Sequence, residues 1–311
     1  VRLDETDRRL FREYSRDGLY FYAENLATST QLASRLGIHR ETVVAHLAKL
    51  EEGRFIMPWL LDAAPPTVPL ASTRLVIQGS SPWQDERLME LVGLVEGVKS
   101  IDEYGASWGL SIFAEDDRSL ASRRALVLRL CGGKIEAEDL APLPRRGSWD
   151  GLAPRQLRLA AHVVGARSPD HAACARQLGV SERTVRRDLD ELARRRALAL
   201  FYGGDVRYEG GLLARFHVGF PSGASPATSP GPGVLEAEHV LKFKAVGGRA
   251  MVYVVPAPDA RRLGDLAGRA REGTGPIELD WRPWTRRRTH PAYFEWLRDV
   301  LLRRAAILEK P

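Results

Sequence analysis

One stretch of this sequence occurs twice. "LASRLGIHRETVVAHLAKLEEGRFI" (32–56) aligns without gaps on "CARQLGVSERTVRRDLDELARRRAL" (174–198), 142 residues further on. A repeat of this kind constrains the fold more than any single motif, because one architecture must satisfy both copies. Ala, Leu-Gly, Thr-Val, Leu and Leu coincide, and each falls where two helices joined by a tight turn need that residue type. In the first copy Leu32, Ala33 and Leu36 share one helical face. Gly37 supplies the positive φ that ends the helix, and Ile38 plugs the turn. Val43, Leu47 and Leu50, at i, i+4 and i+7, give the next helix an apolar stripe. The second copy repeats this with Ala175, Leu178, Gly179 and Val180, then Val185, Leu189 and Leu192. Ser181 is a good N-cap there, with Thr184 three residues on. Two helices around a short Gly-containing turn make a helix–turn–helix.

The surroundings repeat as well. A helix is expected before each pair ("LDETDRRLFREYS" and "APRQLRLAAHVVG"), and a short apolar segment after it (54–62 and 197–208), read as a wing strand. From 73 to 140 the pattern alternates as βαββαβ, the ferredoxin-like order. From 212 to 283 the order is similar but eroded, with a Pro/Ser/Gly-rich insertion at 221–233. The basic run "RPWTRRRTH" (282–290) reads as a phosphate grip or as a solvated loop before the last helix, 291–308. The expected fold class is therefore α+β: two winged helix–turn–helix domains alternate with two ferredoxin-like α/β sandwiches, plus a C-terminal helix. The expected domains are 1–64, 65–143, 144–208, 209–284 and 285–311, with a linker at 140–151.

Charge is unevenly spread. Residues 1–144 carry 17 Lys+Arg against 22 Asp+Glu, whereas 145–215 carry 14 against 8. A basic half suits a polyanion such as double-stranded DNA; solvated surface is the plainer alternative. No apolar run approaches the length of a membrane span, and "VRLDETDRRL" has no secretory h-region. The two cysteines, Cys131 and Cys174, are far apart, which favours a reducing compartment. A cytoplasmic, nucleoid-associated protein without membrane contact is expected. HExxH, Walker and GxGxxG patterns are absent from the sequence. The expectation is thus no enzyme, no cofactor and no metal.

The opening "LDETDRRLFREYSRDG" and the first repeat, with its exit at Leu50, Glu51, Gly53, Phe55 and Ile56, resemble the Lrp/AsnC (feast/famine) regulator family. "VEGVKSIDEYGASWGLSIF" is similar to that family's ligand-sensing domain. The resemblance covers most of 1–140 and, more loosely, 152–282. It implies a sequence-specific transcription regulator, here a tandem duplication of the family unit. It also implies pairing of the sandwiches into a homodimer or higher oligomer, and a small-molecule effector near Tyr104, Gly105 and Trp108. The family's sensing loop usually carries Gly-x-x-Asp, which the stretch Gly105–Leu110 lacks. Two alternatives stay open: a sirohaem-decarboxylase-like tetrapyrrole enzyme, built from paired regulator-like units, and a protein-interaction module.

The expected DNA contacts lie off the apolar stripes. In the second motif they are Ser181, Glu182, Arg183, Thr184, Arg186 and Arg187, followed by Arg194 and Arg195 for the backbone. In the first they are His39, Arg40, Thr42 and His46, with Val44 and Ala45 where the second has its paired arginines. The two readers are expected to be unequal.

Overall fold

The computed structural model describes residues 3–14, 20–21, 28–52, 59–63, 70–78, 86–104, 107–132, 134–139, 151–166, 169–195, 197–202, 206–207, 211–220, 232–244, 250–272, 278–284 and 286–309. The first helical group is α1 (Glu5–Tyr14), α2 (Ser29–Leu36) and α3 (Arg40–Glu52), with β1 (Tyr20–Phe21) between the first two and β2 (Trp59–Ala63) at the end. There follow β3 (Ala71–Gln78), α4 (Glu86–Gly93), β4 (Val98–Tyr104), β5 (Ser107–Ala114), α5 (Asp117–Cys131) and β6 (Lys134–Asp139). A second helical group comprises α6 (Pro154–Val163), α7 (His171–Leu178) and α8 (Glu182–Arg194), then β7 (Leu198–Tyr202) and β8 (Val206–Arg207). The chain continues through β9 (Leu212–Gly219), α9 (Gly233–Glu238), β10 (Leu241–Lys244), β11 (Ala250–Ala257), α10 (Ala260–Glu272) and β12 (Glu278–Trp284). It closes with β13 (Arg286–Thr289) and α11 (Pro291–Leu308).

Local chemistry sets the helix ends. Thr28 and Gln31 form a reciprocal capping box at the start of α2, and Asp170 caps α7 through the Ala173 N–H. Both turns inside the helix pairs depend on a left-handed glycine, Gly37 at φ 67° and Gly179 at φ 65°. Side chains cannot adopt that conformation without cost, so the Leu-Gly step shared by the two repeats is dictated by the turn.

Three sheets are present among the described residues. One contains β6-β3-β5-β4, extended by β13 and β8; another is ordered β10-β11-β9-β12; the third is β1-β7-β2. In each of the two larger sheets the four core strands run in the order fourth, first, third, second of their βαββαβ segment. α9 stands where the sequence pointed to an insertion and the lead-in to a strand; most of that insertion, 221–231, lies outside the described residues. So does 140–150 of the expected linker.

Two expectations change. The apolar segments after the helix groups do not form two independent wings. β7 lies between β1 and β2, with Phe201 in register with both Tyr20 and Leu60, so strands from both halves share one sheet. The basic run 282–290 is no solvated loop either. β13 pairs with β4 of the first half, placing Arg287 opposite Asp102, and Arg287 is buried. The reason is period-two alternation: every second side chain of a strand faces inward even when the run is rich in arginine.

The cores cross between the halves. Leu10, Phe11, Leu32, Val43 and Leu50 of the first helical group pack with Leu213, Val254 and Trp284 of the second half. Leu157, Val185 and Leu192 of the second group pack with Leu70 and Phe113 of the first half and with Tyr293, Trp296 and Leu297 of α11. Hydrophobic burial, the dominant favourable term, therefore ties each helical group to strands from the other half.

Candidate nucleic-acid interface

α8 is a capped, amphipathic helix with an exposed cationic face. Ser181 accepts from the Thr184 N–H at 3.2 Å, and its hydroxyl meets that of Thr184 at 3.0 Å. Val185 and Leu192 are buried, while Glu182, Arg183, Arg186 and Arg187 are exposed. The guanidiniums of Arg186 and Arg187 approach Glu182 and Asp188 only at 3.7 Å, and their side chains are 65% and 70% exposed. Such loose surface pairs contribute little and leave both arginines available.

The base of the helix is fixed. Asp188 is buried and takes Arg155 of α6 in a two-pronged contact, Nε at 2.7 Å and Nη2 at 3.3 Å. At the far end Glu191 accepts from Arg194 at 2.6 Å and Arg195 at 2.5 Å, and Arg195 also donates to the Gly151 carbonyl at 2.8 Å. The guanidinium bonds of Arg194, then Arg195, hold the Glu191 carboxyl below the usual range. Arg194 and Arg195, expected to grip the DNA backbone, are thus already engaged with an acid.

α3 has a different surface. His39, Arg40, Glu41, Val44, Ala45 and Ala48 are exposed, Thr42 is half-buried, and Glu51 and Glu52 add negative charge at its end. His46 Nδ1 lies 2.6 Å from Asp7 Oδ1 on α1, and Lys49 Nζ reaches Asp7 at 2.5 Å and Asp4 at 3.0 Å. His46 therefore points at the first helix. Asp4, Asp7 and His46 also bring three ligand atoms within 4.8 Å of one another, as a cation site would. The Lys49 ammonium already sits in that acid pair, so the cluster has its cation.

The expected effector residues are separated. Trp108 is buried in the core behind the first large sheet, with Leu75, Ile77 and Leu110. Tyr104 faces the second half, where its hydroxyl accepts from Arg215 at 2.6 Å and from Arg74. Gly105 lies outside the described residues.

Around Tyr104 is a polar cluster that the sequence did not reveal. Asp102 accepts from Arg74 at 3.1 Å and from Trp284 Nε1 at 3.0 Å, with Arg215 at 3.5 Å and Arg287 at 3.9 Å. The Arg215 guanidinium lies over the Trp284 ring, 4.1 Å from its centroid. Burial disfavours the Asp102 anion, but the surrounding arginines outweigh it and its pKa is lowered. Burial and the like charge of Arg215 pull Arg74 down to about 10. Burial, then Arg74 and Arg215, bring the adjacent His217 to about 4. Two period-two patterns, in β3–β4 and β9–β12, meet only in three dimensions.

Residues 172–209 match the family model of a DeoR-like helix-turn-helix domain, so α7 and α8 belong to such a domain. No curated protein matches the sequence. Among solved structures, the siroheme decarboxylase NirDL is similar with a TM-score of 0.52 and 13% identity, over 97% of this chain and 99% of that one. The leucine response regulatory protein LrpA of Mycobacterium tuberculosis is similar over 44% of this chain and 92% of that one, with 19% identity and a TM-score of 0.32. An AsnC family transcriptional regulator from Agrobacterium tumefaciens covers 44% of this chain and 87% of its own, with 22% identity and a TM-score of 0.30. The NirDL likeness is one of fold; the half-chain likenesses are too weak to define one. The chain-length match corrects the expectation of a non-enzymatic chain, because the same overall fold occurs, nearly end to end, in an enzyme. No helix among the described residues is long and apolar enough to cross a membrane.

Proposed function

We propose that this chain is a sequence-specific, double-stranded-DNA-binding transcription regulator of Lrp/AsnC type, with α8 as its principal reader. The observation that carries this is the exposed Arg183–Arg186–Arg187 face on a helix whose opposite face is buried and whose base is pinned by Arg155 and Asp188. A rigid helix with exposed arginines at its N-terminal half suits bidentate guanine recognition in the major groove. Ser181, Glu182 and Thr184 flank the groove-facing turn. Arg194 and Arg195 reach phosphate by exchanging Glu191 for it. His39, Arg40 and Thr42 make the lesser contacts of the first motif, while His46 supports α3 from behind.

In this reading the chain is a tandem duplication of a winged helix–turn–helix and a ferredoxin-like sandwich, with domains at 1–64, 65–143, 144–208 and 209–284 and the basic segment and last helix at 285–311. Chains assemble as homodimers or higher oligomers through the sandwiches, act in the nucleoid, and respond to a small molecule on the Tyr104 side of the sheet, away from the buried Trp108. The test is salt-dependent DNA binding by fluorescence anisotropy. Arg186→Ala and Arg187→Ala should each weaken binding, and loss of a phosphate contact should lower the salt slope by about one. Unchanged affinity and slope in both would overturn the reading.

A second reading, decarboxylation of a tetrapyrrole, is favoured by the NirDL likeness over 97% of the chain. It requires a saturable Soret-band change on titration with sirohaem, followed by loss of carbon dioxide from the bound pigment. A spectrum that adds linearly, with no saturation, removes it.

A further inference from the structure

The two reader helices are equivalent in the repeat but opposite in surface charge. Opposite its buried stripe α3 carries an exposed line at i, i+4, i+7 and i+11: Glu41, Ala45, Ala48 and Glu52. The same line on α8, 142 residues on, is Arg183, Arg187, Asp190 and Arg194. The acids that end the first line are arginines on the second. Glu51 and Glu52 also break a local rule, because they stand at the C-terminal end of α3, where the helix dipole disfavours negative charge. Neither they nor Glu41 form an ion pair or side-chain hydrogen bond among the described residues. The middle of this face is a shallow apolar strip, with Val44 46% exposed beside Ala45 and Ala48. On α8, by contrast, Arg186 and Arg187 are 65% and 70% exposed. Both faces are therefore open in a single chain, and each has its electrostatic complement in the other.

We propose that α3 of one copy docks antiparallel on α8 of a second copy of this chain. Antiparallel packing brings Glu51 and Glu52 to Arg183 and Arg186 and to the positive N-terminal end of α8, and sets Arg40 towards Asp190. Ala45 and Ala48 let the helix axes approach to about 8–9 Å, and the aliphatic stems of Arg186 and Arg187 cover Val44. A parallel arrangement is poorer, because it sets Glu51 and Glu52 beside Arg194 and Arg195, which Glu191 already engages. The contact is heterologous, acidic face to basic face, so every copy has one of each to offer. It covers the arginines assigned above to the DNA groove, so self-association and DNA binding exclude one another. The contact itself concerns only the chain's own surfaces and does not rest on DNA binding.

The experiment is sedimentation velocity of the nuclease-treated full chain, without DNA, at about 0.05 and about 0.5 M chloride. At low salt the average mass should rise with protein concentration, and high salt should weaken that step roughly tenfold or more. Association through the sandwiches is common to all variants and forms the baseline. Glu51→Lys with Glu52→Lys should remove the salt-sensitive step, and so should Arg183→Glu with Arg186→Glu; all four residues are exposed, so the fold is kept. Mixing these two double variants should restore it, because each then meets a complementary face. Arg261→Glu with Arg269→Glu, on the exposed face of α10, should neither lose the step nor restore it in a mixture with the Glu51/Glu52 variant. The proposal is overturned by a wild-type chain with no salt-sensitive association, by either double variant associating as the wild type does, by a mixture that stays apart, or by equal recovery with the α10 variant.

Discussion

Arg155 of α6 grips the buried carboxylate of Asp188 on α8, with Nε at 2.7 Å. In the first repeat the position of Asp188 is held by His46, which turns instead to an acid, Asp7, at 2.6 Å. Both reader helices are thus clamped to the first helix of their group, but with donor and acid exchanged between the two helices. On α8 the acid faces inward and the arginines face out. On α3 the side chains of His46 and Lys49 are engaged with Asp7, leaving an exposed face of Arg40, Glu41, Val44, Ala45 and Ala48.

The α8 clamp should be asymmetric in cost. Arg155→Ala leaves a buried carboxylate without its main partner, and about 2 kcal/mol of stability should be lost. The half-exposed position of Arg155, 41% by side chain, keeps this below the cost for a fully buried pair. Asp188→Asn retains shape and a hydrogen-bond acceptor and should cost only about 1 kcal/mol. Urea unfolding of the two variants gives the order directly; equal, near-zero losses would mean the pair is only a surface contact.

The two readers should differ in DNA affinity. Removing both Arg186 and Arg187 side chains should weaken binding at least tenfold, while Arg40→Ala with His39→Ala should change it by less than about threefold, because the α3 face already carries Glu41, Glu51 and Glu52. Converting Val44 and Ala45, the counterparts of Arg186 and Arg187, to arginine should raise affinity and steepen the salt dependence. Anisotropy titrations at two salt concentrations compare all four chains.

His290, just before α11, makes stability fall in mild acid. Burial, then the charge of Arg288, lowers its pKa to about 4 from the ordinary 6.5. Between those values the unfolded chain takes up a proton that the folded chain does not. Stability is therefore fully present above about pH 6.5, falls as the pH drops, and levels off below about pH 4. From pH 7 to pH 5 the loss should be about 1–2 kcal/mol for this group. His290→Gln should flatten the profile by that amount, read from denaturation midpoints across the range.

Two glycines with similar backbone angles should respond very differently to alanine. Gly37 has φ 67° and open space where a Cβ would sit, so Gly37→Ala should cost about 1 kcal/mol of left-handed strain. At Gly97, φ 78°, the Cβ would lie 1.9 Å from the Phe113 carbonyl oxygen, whose residue also donates its N–H to the Gly97 carbonyl. Gly97→Ala should add backbone displacement to the same strain and cost about 3 kcal/mol or more. Thermal melts of both variants separate strain from collision.

Much of the helix-pair architecture was legible in the sequence. The Leu-Gly step, the stripes through Val43 and Val185, and the Ser181 cap are local rules, and the turn angles and cap bonds reflect them. The exposure of Arg183, Arg186 and Arg187 follows from the same stripe. The roles of Arg287 and of the strand it sits on were not legible, because a run of arginines gives no hint of which alternate residue a neighbouring strand will cover. Nor was α9, six residues beside a Pro/Ser/Gly-rich stretch with little periodicity of its own. The fate of His46 escaped for another reason: its partner Asp7 is 39 residues away.

By itself the sequence determined the repeated helix–turn–helix, its unequal charge and the alternating α and β segments, because helix stripes, caps and glycine turns are fixed by interactions within a few residues. The tertiary structure alone decided that β7 joins β1 and β2, that each helical group packs on the other half, and that three arginines meet one aspartate. Those outcomes depend on which apolar faces and strand edges are left unsatisfied once the local elements have formed, and such edges are paired by contacts far apart in the chain.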